Sequence, residues 1–133
     1  ATIPFPLWKR WKELPDALGS LTEKHRPIRL VATMTGEICD CYPSREAGVA
    51  HIVQSLITAS DAVGCRETPG VYLVDGRIVP AAEATRAWPL ASASNWHAVA
   101  RLAGSIAPTA RVFLVDTGST TTDIIPVDHG TPV

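Results

Sequence analysis

No apolar run in this chain extends beyond a few residues, so length alone excludes a membrane-spanning helix. There is no basic run and no interleaving of basic with aromatic residues, and the formal net charge is −1, so a nucleic-acid partner is not expected. The first residues lack a basic region followed by an apolar stretch and do not read as a secretory leader. Cysteine is sparse and odd in number: Cys39, Cys41 and Cys65. That pattern does not outline a disulfide framework, and the expected setting is a reduced, cytoplasmic one. Cys39-Asp40-Cys41 could be half of a soft-metal site. No second pair of ligands stands at zinc-like spacing, however, and packing cysteines are the favoured reading. What the chain does have is the material for a core. It has 133 residues, 46% of them hydrophobic and 19% charged, the size of one ordinary domain with little tendency to disorder.

The pattern of residues predicts an α/β order. Trp8, Trp11, Leu14, Leu18 and Leu21 recur at near-helical spacing. Pro15 and Asp16 suit a first turn, so a helix is expected from about Leu14 to Lys24. Ile28–Met34 reads as a buried strand and Thr35–Pro43 as the loop after it. Ser44 offers an N-cap for a helix that Gly64 ends. Gly70–Val79 reads as a β-hairpin about Asp75-Gly76. The alanine-rich stretch from Pro80 to Pro89 has no clear assignment. Ser94 can cap a further helix with Trp96, Val99, Ala100, Ala103 and Ile106 on one face, ended by Pro108. Trp96 is expected in the core. Val112–Val115 reads as another buried strand, Ile124–Val127 as its successor, and His129-Gly130 as the start of another turn.

The segment between those last two strands carries the chemistry. In Asp116-Thr117-Gly118-Ser119-Thr120-Thr121-Thr122-Asp123, Gly118 lets the backbone turn tightly and approach a ligand. Ser119, Thr120, Thr121 and Thr122 supply hydroxyls, and successive backbone N–H groups in such a turn form an anion-binding nest. A carboxylate beside bound phosphate repels it unless a cation or proton intervenes. Asp116 therefore points to Mg²⁺ held through water, or to an acid/base role. Asp123 can fix the turn by accepting hydrogen bonds. No Gly-Lys-Ser/Thr follows, so this is not a Walker loop, and the turn leads to a strand, which rules out a dinucleotide fingerprint. A ligand-free Ser/Thr-rich hairpin is the bland alternative.

A strand, then this Asp-first turn, then a second strand resembles the phosphate loops of the actin, sugar kinase and Hsp70 superfamily, and within it the hydantoinase A/oxoprolinase branch. Met34-Thr-Gly-Glu-Ile-Cys-Asp-Cys-Tyr42, Ala93-Ser-Asn-Trp96 and Val115–Val127 together are similar to the tetrahydromethanopterin-linked C1-transfer pathway proteins. The resemblance runs from Pro4–Lys9 to Pro126. It implies a ribonuclease H-like lobe of the actin-like ATPase superfamily. It also implies a transferase of methanofuran biosynthesis that condenses a furan-methyl diphosphate with γ-glutamyltyramine and releases diphosphate. One departure stands out: the superfamily has two phosphate loops, and the first, an Asp-x-Gly-Gly segment, is absent. The expectation is a piece of a two-lobed protein, with residues 1–110 forming most of the first lobe and 111–133 opening the second. Such a piece is not expected to turn over alone.

By the same resemblance Glu37, in a strand-end loop, is the candidate acid/base residue, with hydrogen bonding within the loop as the alternative. Thr33 and Thr35 are candidate substrate hydroxyls and Asn95 a candidate lining residue. Lys9 and Arg45 can meet an anion but are more often solvated charges. His25, His51, His97 and His129 show no ligand spacing and read as structural. Three functions remain open. The first is the diphosphate-handling transferase with Mg²⁺ and a small phosphorylated substrate. The second is an ATP-dependent amidohydrolase or phosphotransferase. The third is a non-catalytic module that binds a phosphate ligand. The oligomeric state is not legible in the sequence.

Overall fold

A computed structural model describes residues 2–117 and 122–133. The chain is mixed α/β with two three-stranded sheets, and it divides into two compact units, Ala1–Ser94 and Asn95–Val133. By compactness the helix after Ser94 thus belongs with the carboxy-terminal strands, whereas the lobe boundary expected from the sequence lies at 110/111.

In the first unit a short helix α1 (Leu7–Arg10) and a 3₁₀ turn (Trp11–Glu13) lead into α2 (Leu14–Thr22), which has proline in its first turn as expected. The long helix α3 (Arg45–Ala62) starts where Ser44, in extended conformation, accepts a 3.1 Å hydrogen bond from Ala47 N–H. Its end is marked by Gly64 at φ +73°, a left-handed position that glycine adopts without strain. The buried residues of α3 include Val49, Ile52, Val53, Leu56 and Ala59, spaced three and four apart, and these form the centre of the core.

The sheet of this unit runs β1 (Val31–Ala32), β2 (Gly70–Tyr72), β3 (Ile78–Pro80), parallel and then antiparallel. The turn between β2 and β3 is the expected one. Gly76 has φ +87° and donates to Leu73 O at 2.9 Å, and Asp75 Oδ1 accepts from Arg77 N–H at 3.0 Å. The expected strand over Ile28–Met34 contracts to Val31–Ala32. This strand pairs on one side only, and Ile28 and Val31 are 63% and 50% exposed, so its apolar character does not signal burial on both faces. The alanine-rich stretch forms α4 (Ala81–Arg86) and α5 (Trp88–Ala91). Ala81, Ala84 and Ala91 are fully buried, and their small side chains let these turns approach α3 closely.

In the second unit α6 (Asn95–Ile106) lies on a sheet of β4 (Arg111–Thr117), β5 (Thr122–Asp128) and β6 (Thr131–Pro132), all antiparallel. The register sets the faces. The pairs Val112↔Val127 and Leu114↔Ile125 turn inward, whereas Phe113, Val115 and Ile124 turn outward at 72%, 58% and 65% exposure. The expectation of a fully buried Val112–Val115 strand is therefore corrected: alternate residues of β4 are open. Trp96 is corrected as well, being exposed along with Val99 and Ile106. The buried stripe of α6 consists of Ala100 and Gly104, one turn apart, because the helix backbone comes right up to the β5–β6 turn. A Cβ on Gly104 would lie 2.4 Å from Gly130 O. Among the described residues no helix is long and apolar enough to cross a membrane.

Candidate functional site

The predicted phosphate turn falls in the sequence between β4 and β5. Gly118, Ser119, Thr120 and Thr121 lie outside the described residues. Their flanks do not: Asp116 pairs with Asp123, and Thr117 with Thr122. Counting along the register, Asp116 and Asp123 continue the face of Leu114 and Ile125, one pair beyond the last apolar contact, while Thr117 and Thr122 fall on the opposite face. Both carboxylates are exposed. Like charges placed directly opposite on an antiparallel pair disfavour it. Two facing oxygen-donor groups suit a hard divalent cation such as Mg²⁺, which takes one or two carboxylates and fills its shell with water and phosphate oxygens. Among the described residues no three His, Cys, Asp or Glu side chains gather as a metal cage.

The other candidates belong to the first unit. Thr33 and Thr35 are exposed on either side of buried Met34, whose N–H donates to Ser94 Oγ at 3.3 Å. Glu37 lies in a 3₁₀ turn (Gly36–Ile38) and is only 1% exposed. It packs directly over α3, where a Cβ on Gly48 would come within 2.6 Å of Glu37 O. Glu37 Oε1 accepts two hydrogen bonds of 2.7 Å, from Ser92 Oγ–H and from Ala93 N–H. Its Oε2 is buried and has no partner among the described residues. Ala93 holds a left-handed conformation at φ +49°, which an alanine adopts only when its surroundings impose it. The carboxylate thus clamps the 92–93 segment to the loop after β1.

Ser92 and Ala93 are hydrogen-bond partners of Glu37 that reading the sequence did not pair with it. They stand more than fifty residues from Glu37, and no spacing rule links them. Asn95, partly exposed, opens α6 and so belongs with Asp116 in the second unit. Lys9 and Arg45 are exposed, and Lys9 Nζ sits 4.7 Å from the centre of the Trp8 ring. His51 is a packing residue. Its Nδ1 is 2.8 Å from Tyr42 Oη, its ring meets Trp11 edge-on at 5.0 Å, and burial holds its pKa below the usual value.

Residues 30–133 match the hydantoinase/oxoprolinase family, and the chain belongs to that family. Among characterised relatives, the (4-{4-[2-(gamma-L-glutamylamino)ethyl]phenoxymethyl}furan-2-yl)methanamine synthase of Methanocaldococcus jannaschii is 37% identical over 125 residues, which cover 94% of this chain and 36% of the relative. The chain thus spans about a third of the length of the curated relative it matches.

Proposed function

We propose that the full-length protein is a methanofuran-pathway transferase that joins the phenol oxygen of γ-glutamyltyramine to the methylene of a furan-methyl diphosphate, with release of diphosphate. The observation that carries this reading is the facing pair Asp116 and Asp123, which flanks a Gly/Ser/Thr segment in the sequence, in a chain 37% identical to a synthase. The product named for that relative contains an aryl ether to a furan methylene. Forming such an ether needs a leaving group on the methylene carbon, and diphosphate is one that a Mg²⁺-bearing anion nest can hold. In this reading the ribonuclease H-like lobe assignment follows from the family, with residues 1–110 in the first lobe and 111–133 opening the second.

Asp116 and Asp123 would hold Mg²⁺, and that ion, when bound, neutralises the charge of the departing diphosphate. Backbone N–H groups and hydroxyls of Gly118, Ser119, Thr120, Thr121 and Thr122 bind the phosphate oxygens. Glu37 is the proton acceptor for the phenol. Its Oε1 is committed to Ser92 and Ala93, which leaves Oε2 for the proton. Thr33, Thr35 and Asn95 contact the substrates. The setting is cytoplasmic, and the partner is a small phosphorylated molecule.

The test is pyrophosphate release by the full-length protein given both substrates and Mg²⁺. No release with any divalent cation would sink the proposal. ATP hydrolysis that depends on an acceptor and on Asp116 would instead favour the phosphotransferase or amidohydrolase reading. Ligand binding without turnover would favour a non-catalytic module. Glu37→Gln separates base from clamp: loss of the base lowers kcat by about 10²–10⁴. If Glu37 only holds Ser92 and Ala93, glutamine still accepts their hydrogen bonds and the rate stays near that of the wild type.

A further inference from the structure

The Cys39-Asp40-Cys41 loop plays no part in that chemistry, yet it is the most tightly arranged reactive cluster in the first unit. Cys39 N–H donates to Gly36 O at 3.1 Å, and Tyr42 N–H donates to Cys39 O at 3.0 Å, closing a turn over residues 39–42. That turn places Cys41 Sγ 3.2 Å from Cys39 Sγ, with the Cys41 S–H donated to the Cys39 sulfur. Both ends of the turn are fixed. Glu37 is clamped on one side, and on the other Tyr42 is held by His51 at 2.8 Å and by ring packing against Trp11 at 6.3 Å. Both thiols are partly exposed and border a cleft of about 500 Å³ lined by Trp8, Ile38, Cys39, Asp40 and Cys41. Cys65 is apart from them and packs against the core.

We propose that Cys39 and Cys41 are a redox-active dithiol that reacts with small disulfides and closes a reversible Cys39–Cys41 bond. The donor set favours this over metal binding: among the described residues no third His, Cys, Asp or Glu side chain gathers with the two thiols where an ion could be held. Contraction to a disulfide of about 2.05 Å is a short movement within one turn. Burial together with Cys39 raises the pKa of the Cys41 thiol, and its S–H is donated to the Cys39 sulfur, so Cys41 is held as the thiol. Cys39 is therefore the attacking thiol and Cys41 the resolving one.

The step balances with a disulfide R–S–S–R as oxidant. Cys39 thiolate attacks one of its sulfurs, that S–S bond breaks, and RS⁻ leaves and takes up a proton. Cys41 then gives its proton to solvent and attacks the Cys39 sulfur of the mixed disulfide, displacing the second RS⁻. The two protein thiols are oxidised by two electrons, and R–S–S–R is reduced to two thiols. A bridge across one intervening residue is a strained ring, which keeps the bond reducible and suits a compartment where disulfides are transient.

The experiment incubates the full-length protein with oxidised glutathione, blocks free thiols by alkylation and digests with trypsin. Cleavage after Arg29 and Arg45 yields one peptide, residues 30–45, containing both cysteines. The expected result is that peptide lighter by about 2 Da, with full recovery of both thiols after reduction. In Cys41→Ser the glutathione adduct is trapped on Cys39, and Cys65→Ser changes nothing. Both thiols remaining free, or each carrying its own glutathione, would overturn the proposal. So would thiols in the purified protein that react only after a chelator removes a bound metal.

Discussion

The unit Ala1–Ser94 surrounds α3 with buried side chains and closes its core over a carboxylate, Glu37. In Asn95–Val133 the buried hydrophobic side chains among the described residues are Ala100, Ile125 and Val127, and two carboxylates stand in the open. The outer face of its sheet shows Phe113, Val115 and Ile124 to solvent. The first unit thus draws its stability from apolar burial and has one buried acidic group, Glu37, held by hydrogen bonds. The second draws it chiefly from the β4–β5 ladder; its Asp128 is engaged by Arg111 and His129, while Asp116 and Asp123 stay exposed. A buried, bonded carboxylate and an exposed facing pair are thus set in different parts of one chain.

The sharpest test of this contrast is Leu73→Ala. Leu73 is fully buried in the first core, and truncation is expected to cost about 2–5 kcal/mol. Hydrogen exchange should quicken throughout α3 and β2 while amides of β4 and β5 keep their rates. An equal rise in both units would break the comparison. Next is Gly104→Ala, where the added methyl meets the backbone of Gly130. The expected loss is about 1–3 kcal/mol, read as faster exchange in α6 and β6 with α3 unchanged.

A smaller effect is expected from Asp123→Asn. Removing one of two like charges across the hairpin should make the metal-free ladder slightly more stable, by thermal melting, while abolishing any further gain on adding Mg²⁺. A variant that still gains from Mg²⁺ would show that the pair is not a cation site.

The smallest effect is the pH dependence of the first unit. The pKa of His51 is lowered in the fold from its ordinary 6.5. Above that value both folded and unfolded forms are neutral and the residue adds no pH dependence. As pH falls below it the unfolded chain takes the proton first, so stability declines until the folded form is protonated too. Denaturant midpoints should fall as the pH is lowered through about 6.5 in the wild type and less steeply in His51→Phe. Equal slopes would remove His51 from the account.

The parts of the fold legible in the sequence are those governed by local chemistry. Ser44 and Gly64 bound α3 because capping and left-handed turns depend on neighbouring residues, and Asp75-Gly76 turns a hairpin for the same reason. The two strands that flank the Asp-first segment were recognisable because their apolar residues are local signals too. Features that depend on distant partners were not legible. Alanines at 81, 84 and 91 acquire meaning only from the α3 surface against them. Trp96 looked like core because tryptophan is large and apolar, but the stripe that buries α6 is made of Ala100 and Gly104. Glu37 could be picked out as the acid of its loop, but not its hold on Ser92 and Ala93.

The register of β4 against β5 has a consequence for quality control. Side chains alternate sides along a strand, so a slip of one residue in one strand would send its carboxylate to the far side of the ribbon and part Asp116 from Asp123. If the pair is a cation site, misregistered molecules could not chelate. Mg²⁺ affinity would then act as an assay of correct pairing.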